Sequence, residues 1–308
     1  MIFWLDLHSV CFGSAFRLLF FIDHSTTMAP LILNGLEVRT HLTEALKSRI
    51  AQYTSPLGLI IFSFGTDERS QAYVEQKIKF GAIVGVKVFH VNLPQETNME
   101  EAMTAVRRAN NDYQSQGIII QLPLPAHLDA DALCDAINPA MDVDGLHPVN
   151  QGLLMHGRNG VIPATARAVL TLLDYYQIHV EGKHVVIVGR SSLVGKPLAL
   201  ALLARDATVT VTHSKTLDLS SFTKKADIVI MAIGKPKFLQ AEDIKEGAIV
   251  IDVGISRNEE KGLVGDVDFK NVAPHTTAIS PVPGGVGPLT VFSLFENLCN
   301  TYEARRPM

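Results

Sequence analysis

The chain has 308 residues, 47% of them hydrophobic and 19% charged, with 22 Gly and 15 Pro, which excludes a disordered, collagen-like or disulfide-scaffold protein. That length suits two domains, each able to bury a core. A formal charge of −4 without a dense Lys/Arg run offers no footprint for nucleic acid or an anionic membrane.

Residues 1–28 hold the single Trp and five of the 14 Phe. Apolar runs such as Leu18–Ile22 are far too short to span a bilayer, and Asp6 stands where a signal peptide wants positive charge. The segment reads as an atypical N-terminal extension without a folded role; a targeting segment is the alternative. Beyond it, Leu42, Ala45, Leu46, Ile50 and Tyr53 recur at three- and four-residue steps and predict a helix over about 36–53. Leu57 to Phe64 is a nearly continuous apolar run, the kind buried on both faces of a parallel sheet. A helix over about 70–84, a strand 87–91, a helix 98–112, a strand 117–121 and a helix 129–137 follow. The Pro- and Gly-rich stretch 142–160 reads as a junction. After it come a helix over about 164–177, a strand 184–188, a helix 194–205 and strands 208–212, 227–232 and 248–253. An amphipathic helix over about 289–303 closes the chain. This alternation predicts α/β architecture in both halves.

Cys11, Cys134 and Cys299 are far apart and odd in number, so neither a disulfide framework nor a structural zinc site is indicated, and a reducing, cytoplasmic setting is expected.

The strand Val185–Val188 ends in Gly189, turns, and opens a helix near Val194, an arrangement that attracts phosphate. It is neither G-x-G-x-x-G, since Ser191 takes the second Gly position, nor a P-loop, since Pro197 follows Lys196. A structural βα turn is therefore the competing reading. NAD sites place an acid at the end of the second strand, on the ribose 2′-hydroxyl. Here that strand ends in His213-Ser214-Lys215 with no carboxylate, and Arg190, Ser214 and Lys215 favour a 2′-phosphate and hence NADP.

Tyr73 and Lys77 stand four apart on a predicted helix and share one face. An aromatic beside a solvated lysine is the ordinary explanation. GIIIQLPLP, however, ends a buried strand with polar Gln121 at the sheet edge where α/β ligands bind, and MDVDGLHP adds Asp142 and Asp144 in a tight turn. Two acids alone do not make a metal site, because no neighbouring ligand completes the set. PVPGGVGPLT, residues 281–290, reads as a shaped loop whose glycines admit a flat ligand, with Pro288 at the first position of the last helix.

Together these segments resemble the methylenetetrahydrofolate dehydrogenase/methenyltetrahydrofolate cyclohydrolase family, from about Leu33 to Glu303. The resemblance rests on Y-x-x-x-K at Tyr73 and Lys77, GIIIQLPLP, DVDG at 142–145, GRSxxVGxP at 189–197 and PVPGGVGP at 281–288. It implies two α/β domains around a cleft: a folate-binding catalytic domain of 29–149 plus 288–308, and a Rossmann-type NADP-binding domain of 150–287. It implies tetrahydrofolate substrates and a homodimer paired through the NADP domains. Lys77 corresponds to the catalytic lysine, Tyr73 to the tyrosine stacked on folate, Gln121 to the glutamine that tunes the lysine, and Asp144 to the aspartate gripping the pterin. Ile120, Leu122, Pro281, Gly284, Gly285, Gly287 and Pro288 match the folate surround; Gly189, Arg190, Ser191, Ser214 and Ile255 match cofactor contacts.

Three departures stand out. Ala164 and Ala166 replace the Cys and Pro of a family P-C-T-P and are expected to alter the cleft wall. Met141 stands where Lys usually precedes DVDG, and Arg69 replaces a small residue near the folate entrance. Rival readings are another lysine-using, NADP-linked oxidoreductase such as a shikimate dehydrogenase-like protein, and a non-catalytic NADP-binding sensor in which Lys77 is only structural.

Overall fold

The computed structural model describes residues 29–112, 114–257 and 262–305, and not the side chains of Glu68 and Arg69. The N-terminal extension, Cys11 and the Arg69 side chain thus lie outside the described residues.

The first half builds a three-stranded parallel sheet in the order β3-β2-β4, from β2 (Gly58–Phe64), β3 (Lys87–Leu93) and β4 (Gly117–Ile120). Every residue of β2 and β4 is buried, as a continuous apolar run requires when helices cover both faces. The covering helices are α1 (Gly35–Ala51), α2 (Glu68–Val84), α3 (Met99–Ala109) and α4 (Ala130–Asp135). Side chains set where the first three begin. Asn34 accepts from Leu36 N and Glu37 N, Asp67 accepts from Ser70 N, and Asn98 forms a capping box with Glu101.

The stretch read as a junction contains a helix, α5 (Pro148–Met155). Pro148 sits in its first turn, where a missing N–H costs nothing, and His147 Nδ1 accepts from Val149 N. What was a breaker signal in the sequence is here a helix start.

The second half continues with α6 (Ala164–Tyr175), β5 (His184–Val188), α7 (Gly195–Leu203), β6 (Thr208–Thr212), α8 (Leu219–Thr223), β7 (Ile228–Met231) and β8 (Ala248–Asp252). A short antiparallel pair, β9 (Ser256–Arg257) with β10 (Leu263–Val264), and α9 (Phe269–Val272) precede β11 (Thr276–Ile279). Together with β1 (Leu31–Ile32), the strands other than the β9–β10 pair form a six-stranded parallel sheet, ordered β1-β11-β8-β7-β5-β6. The order reverses at β5, between β6 and β7, so the crevice beyond the C-terminal end of β5 is the switch point where such sheets bind ligands.

Two features depart from expectation. β1 was grouped with the first domain but pairs with β11, Leu31 opposite Ala278, in the other half's sheet. The last helix, α10 (Val286–Ala304), starts inside the Pro/Gly segment, so Pro288 is its third residue rather than its first. An N–H at that position would have no partner within the helix, so proline's missing donor costs no hydrogen bond there.

α10 packs on α6 and on α1, and so belongs to both halves. Phe295, fully buried, meets Phe80 of α2 edge-on with ring centroids 5.4 Å apart. Buried Asn297 donates through Nδ2 to Val143 O at 3.0 Å and Ile162 O at 2.9 Å, tying the helix to the DVDG turn and to the lead-in of α6. No helix among the described residues is long and apolar enough to cross a membrane. Asn297→Leu removes the donor from two buried carbonyls and is expected to lower unfolding free energy by about 2–4 kcal/mol. Urea denaturation measures this, and an unchanged midpoint would contradict it.

Candidate active site

α2 carries both Tyr73 and Lys77 toward the C-terminal edge of the three-stranded sheet. Lys77 is 9% exposed, and its Nζ donates to Gln121 Oε1 at 2.8 Å. Gln121 is the first residue after β4, and its backbone N–H extends the sheet by donating to Phe62 O at 2.8 Å. Its Nε2 donates to Leu122 O at 2.7 Å, which leaves the amide oxygen for Lys77. The polar end of GIIIQ is thus fixed from three directions.

The two acids of DVDG have different tasks. Asp142 is buried and accepts four hydrogen bonds, from Gly145 N at 2.9 Å, Leu146 N at 3.3 Å, His147 N at 2.9 Å and Asn150 Nδ2 at 2.8 Å. It organises the turn. Asp144, half-buried, is left to act on Lys77. Burial pushes the Lys77 ammonium below the ordinary lysine range, and Asp144 partly opposes that. Burial pushes the Asp144 carboxyl up, and Lys77 partly opposes that. Both groups are drawn toward their neutral forms.

One helical turn from Lys77, at Tyr73, α2 borders a cleft of about 420 Å³. Tyr73, 41% exposed, lines it with Ala72 and Gln76 of α2, Arg39 of α1, Ile255, and the segment Pro281–Pro288. The structure therefore brings Tyr73, Pro281, Gly284, Gly285, Gly287, Pro288 and Ile255 to one cleft, whereas Lys77, Gln121 and Asp144 form a buried cluster that is not part of its lining. Leu36 N donates to Gly284 O at 3.2 Å, which holds the glycine segment against α1. Ile120 differs from expectation: its side chain packs in the core with Phe62 and Ile118, and Leu122 packs on the same cluster. Ala164 and Ala166 are also core residues, 1% and 0% exposed, and are not part of the cleft wall. Met141 is buried in the apolar cluster beneath β4.

At the switch point, Gly189 has φ 129, and a Cβ there would lie 2.3 Å from Ala232 O. A Cβ on Gly195 would lie 2.0 Å from Gly189 O. Only glycine fits either place, so the turn presents backbone to whatever approaches it. Arg190 and Ser191 are exposed on it, and no side chain caps the start of α7. Ser214 and Lys215 are exposed just past β6, the neighbouring strand. Among the described residues no group of three or more His, Cys, Asp or Glu is placed to hold a metal.

Two acids that the sequence reading passed over shape this half. Asp252 ends β8, lines the cleft, and accepts from Gly254 N, Asp266 N and Val267 N; burial raises its carboxyl to about 7. Asp266, fully buried, accepts from Ile233 N, Gly234 N and Lys235 N of the loop after β7. An acid within two residues of a glycine after an apolar run, as in IDVG and VGDV, was the available signal.

Comparison with known proteins settles the family. The catalytic domain described as "Tetrahydrofolate dehydrogenase/cyclohydrolase" matches residues 33–144, and that family's NAD(P)-binding domain matches 163–306. The chain belongs to this family. The bifunctional protein FolD of Acholeplasma laidlawii is 46% identical over 273 residues, covering 88% of this chain and 98% of the relative. The crystal structure of the Campylobacter jejuni FolD dehydrogenase/cyclohydrolase superposes with TM-score 0.88 at 39% identity, over 90% of this chain and 100% of that one. The Trypanosoma brucei FolD, solved with NADP and an inhibitor, gives TM-score 0.86 at 37% identity, over 91% and 100%.

Proposed function

We infer that this chain oxidises 5,10-methylenetetrahydrofolate to 5,10-methenyltetrahydrofolate with NADP+ and hydrolyses the product to 10-formyltetrahydrofolate. The observation that carries the reading is a buried lysine, held at 2.8 Å by Gln121 and facing Asp144, one helical turn from a cleft-lining tyrosine. NADP+, when bound, supplies the hydride acceptor. The residues at the switch point fit it: backbone at Gly189 and Gly195 for a phosphate, and Arg190, Ser214 and Lys215 for a 2′-phosphate. No carboxylate closes β6 to repel that phosphate.

Folate binding belongs to the three-stranded half and dinucleotide binding to the six-stranded half. Tyr73 stacks on the substrate, Asp144 holds the pterin, and Gln121 fixes the direction of the Lys77 amine. As hydride leaves the methylene carbon, the lone pair of the adjacent nitrogen forms the C=N bond, so this step needs alignment above all. Hydrolysis needs a base. Lys77, disposed to neutrality by burial and by the cationic product, takes a proton from water as its oxygen adds to the amidinium carbon. It returns that proton to the ring nitrogen as the C–N bond breaks, and the adduct's hydroxyl proton leaves to solvent as the formyl C=O forms, so one proton is released per turnover.

The homodimer is proposed to form through the β6 edge. β6 is an edge strand with one side unpaired, and Leu203, Val211, Leu217 and Phe222 around it are exposed. Light scattering is expected to show twice the chain mass for the wild type and a single chain for Val211→Lys with Leu217→Lys. A monomeric wild type would remove the proposal.

Lys77→Met is expected to cut hydrolysis by at least ~100-fold while keeping the fold. In the wild type, hydrolysis should rise with pH, since the neutral amine is the base, through a midpoint below the ordinary lysine range. Decay of methenyltetrahydrofolate absorbance measures both. Full hydrolysis by the variant would refute the role of Lys77, and NADP+ binding without folate-dependent reduction would make the chain a sensor.

A further inference from the structure

The cleft wall holds a cation that neither reaction uses. Arg39 projects from α1, half-buried, and its Cζ lies 5.9 Å from the centroid of the Phe80 ring. It makes no ion pair among the described residues. The carboxylate that shares the cleft lining, Asp252, is engaged by three backbone N–H groups. Arg39 therefore gives this wall an uncompensated guanidinium, stacked on an aromatic ring and thereby oriented.

A reduced folate is elongated, with a pterin at one end, a benzoyl ring in the middle and glutamate carboxylates at the other end. Placing the pterin at Lys77 and Asp144 and the aromatic middle on Tyr73 sends the anionic end along the cleft. Gln76 and Arg39 line the same cleft as the tyrosine, on the side where α1 faces α2. We propose that Arg39 is a specificity residue for the substrate's tail, its guanidinium fork pairing with a glutamyl carboxylate. This rests on the folate reading above and extends it to the far end of the molecule.

The test compares wild type and Arg39→Gln on 5,10-methylenetetrahydrofolate and on its pteroate analogue, which lacks the glutamate. Arg39→Gln should raise the KM for the glutamyl substrate about tenfold, the scale of one charge-assisted pair. kcat and the KM for NADP+ should stay unchanged, the analogue should show no difference between the two proteins, and Arg39→Lys should recover part of the loss. Wild type alone should show a KM about tenfold higher for the analogue, a comparison that stands even if the variant fails to fold. Equal wild-type KM values for the two substrates, a KM rise in the variant for both substrates alike, a shift in the NADP+ KM, or tail dependence that follows Arg257→Gln, at the other arginine of the cleft lining, would each overturn the proposal. A wild type inactive on both substrates would instead overturn the folate reading.

Discussion

Burying one ammonium group governs how this site is laid out. An unpaired charge taken out of water costs several kcal/mol, so Lys77 is stable in place only if its partners are fixed first. Gln121 supplies a neutral acceptor locked by its own bond to Leu122 O, and Asp144 supplies charge from a turn that Asp142 has already stiffened. Neither partner fully restores what water gave. The lysine stays below its ordinary range, the direction that its proposed role as a base requires.

The same constraint explains why the two halves are joined so firmly. The lysine lies in the three-stranded half and the glycine turn in the six-stranded half, so hydride transfer depends on the spacing between them. α10 packs against helices of both, Asn297 reaches the DVDG turn and the start of α6, and β1 carries the beginning of the described chain into the second sheet. Gln151 of α5 donates to Ser192 O, linking the junction helix directly to the turn that follows Gly189. The connection between halves is therefore a set of ordered contacts rather than a loose tether.

Much of this was legible because it is local. The run Leu57–Phe64 announced a doubly covered strand, Tyr73 and Lys77 announced a shared helix face, and Gln121 stood out as a polar end to an apolar strand. What escaped the sequence reading depends on partners distant in the chain. β1 is two residues with both side chains exposed, and it is a strand only because β11 lies beside it. Asp252 and Asp266 look like ordinary acids until the backbone N–H groups they gather are seen. Pro148 misled because proline breaks a helix in its interior but not in its first turn, and Pro288, expected at the first helical position, is the third because the helix begins at Val286. The expected cleft change at Ala164 and Ala166 fell in the core instead, because the first turn of α6 faces inward.

The most direct measurement is the titration of the Lys77 side-chain nitrogen itself, followed by nitrogen NMR in selectively labelled protein. The account requires a midpoint below the ordinary lysine value of about 10.4, falling further in Asp144→Asn, because that carboxylate is what holds the ammonium charged. A midpoint at or above the ordinary value, or one indifferent to Asp144, would contradict it.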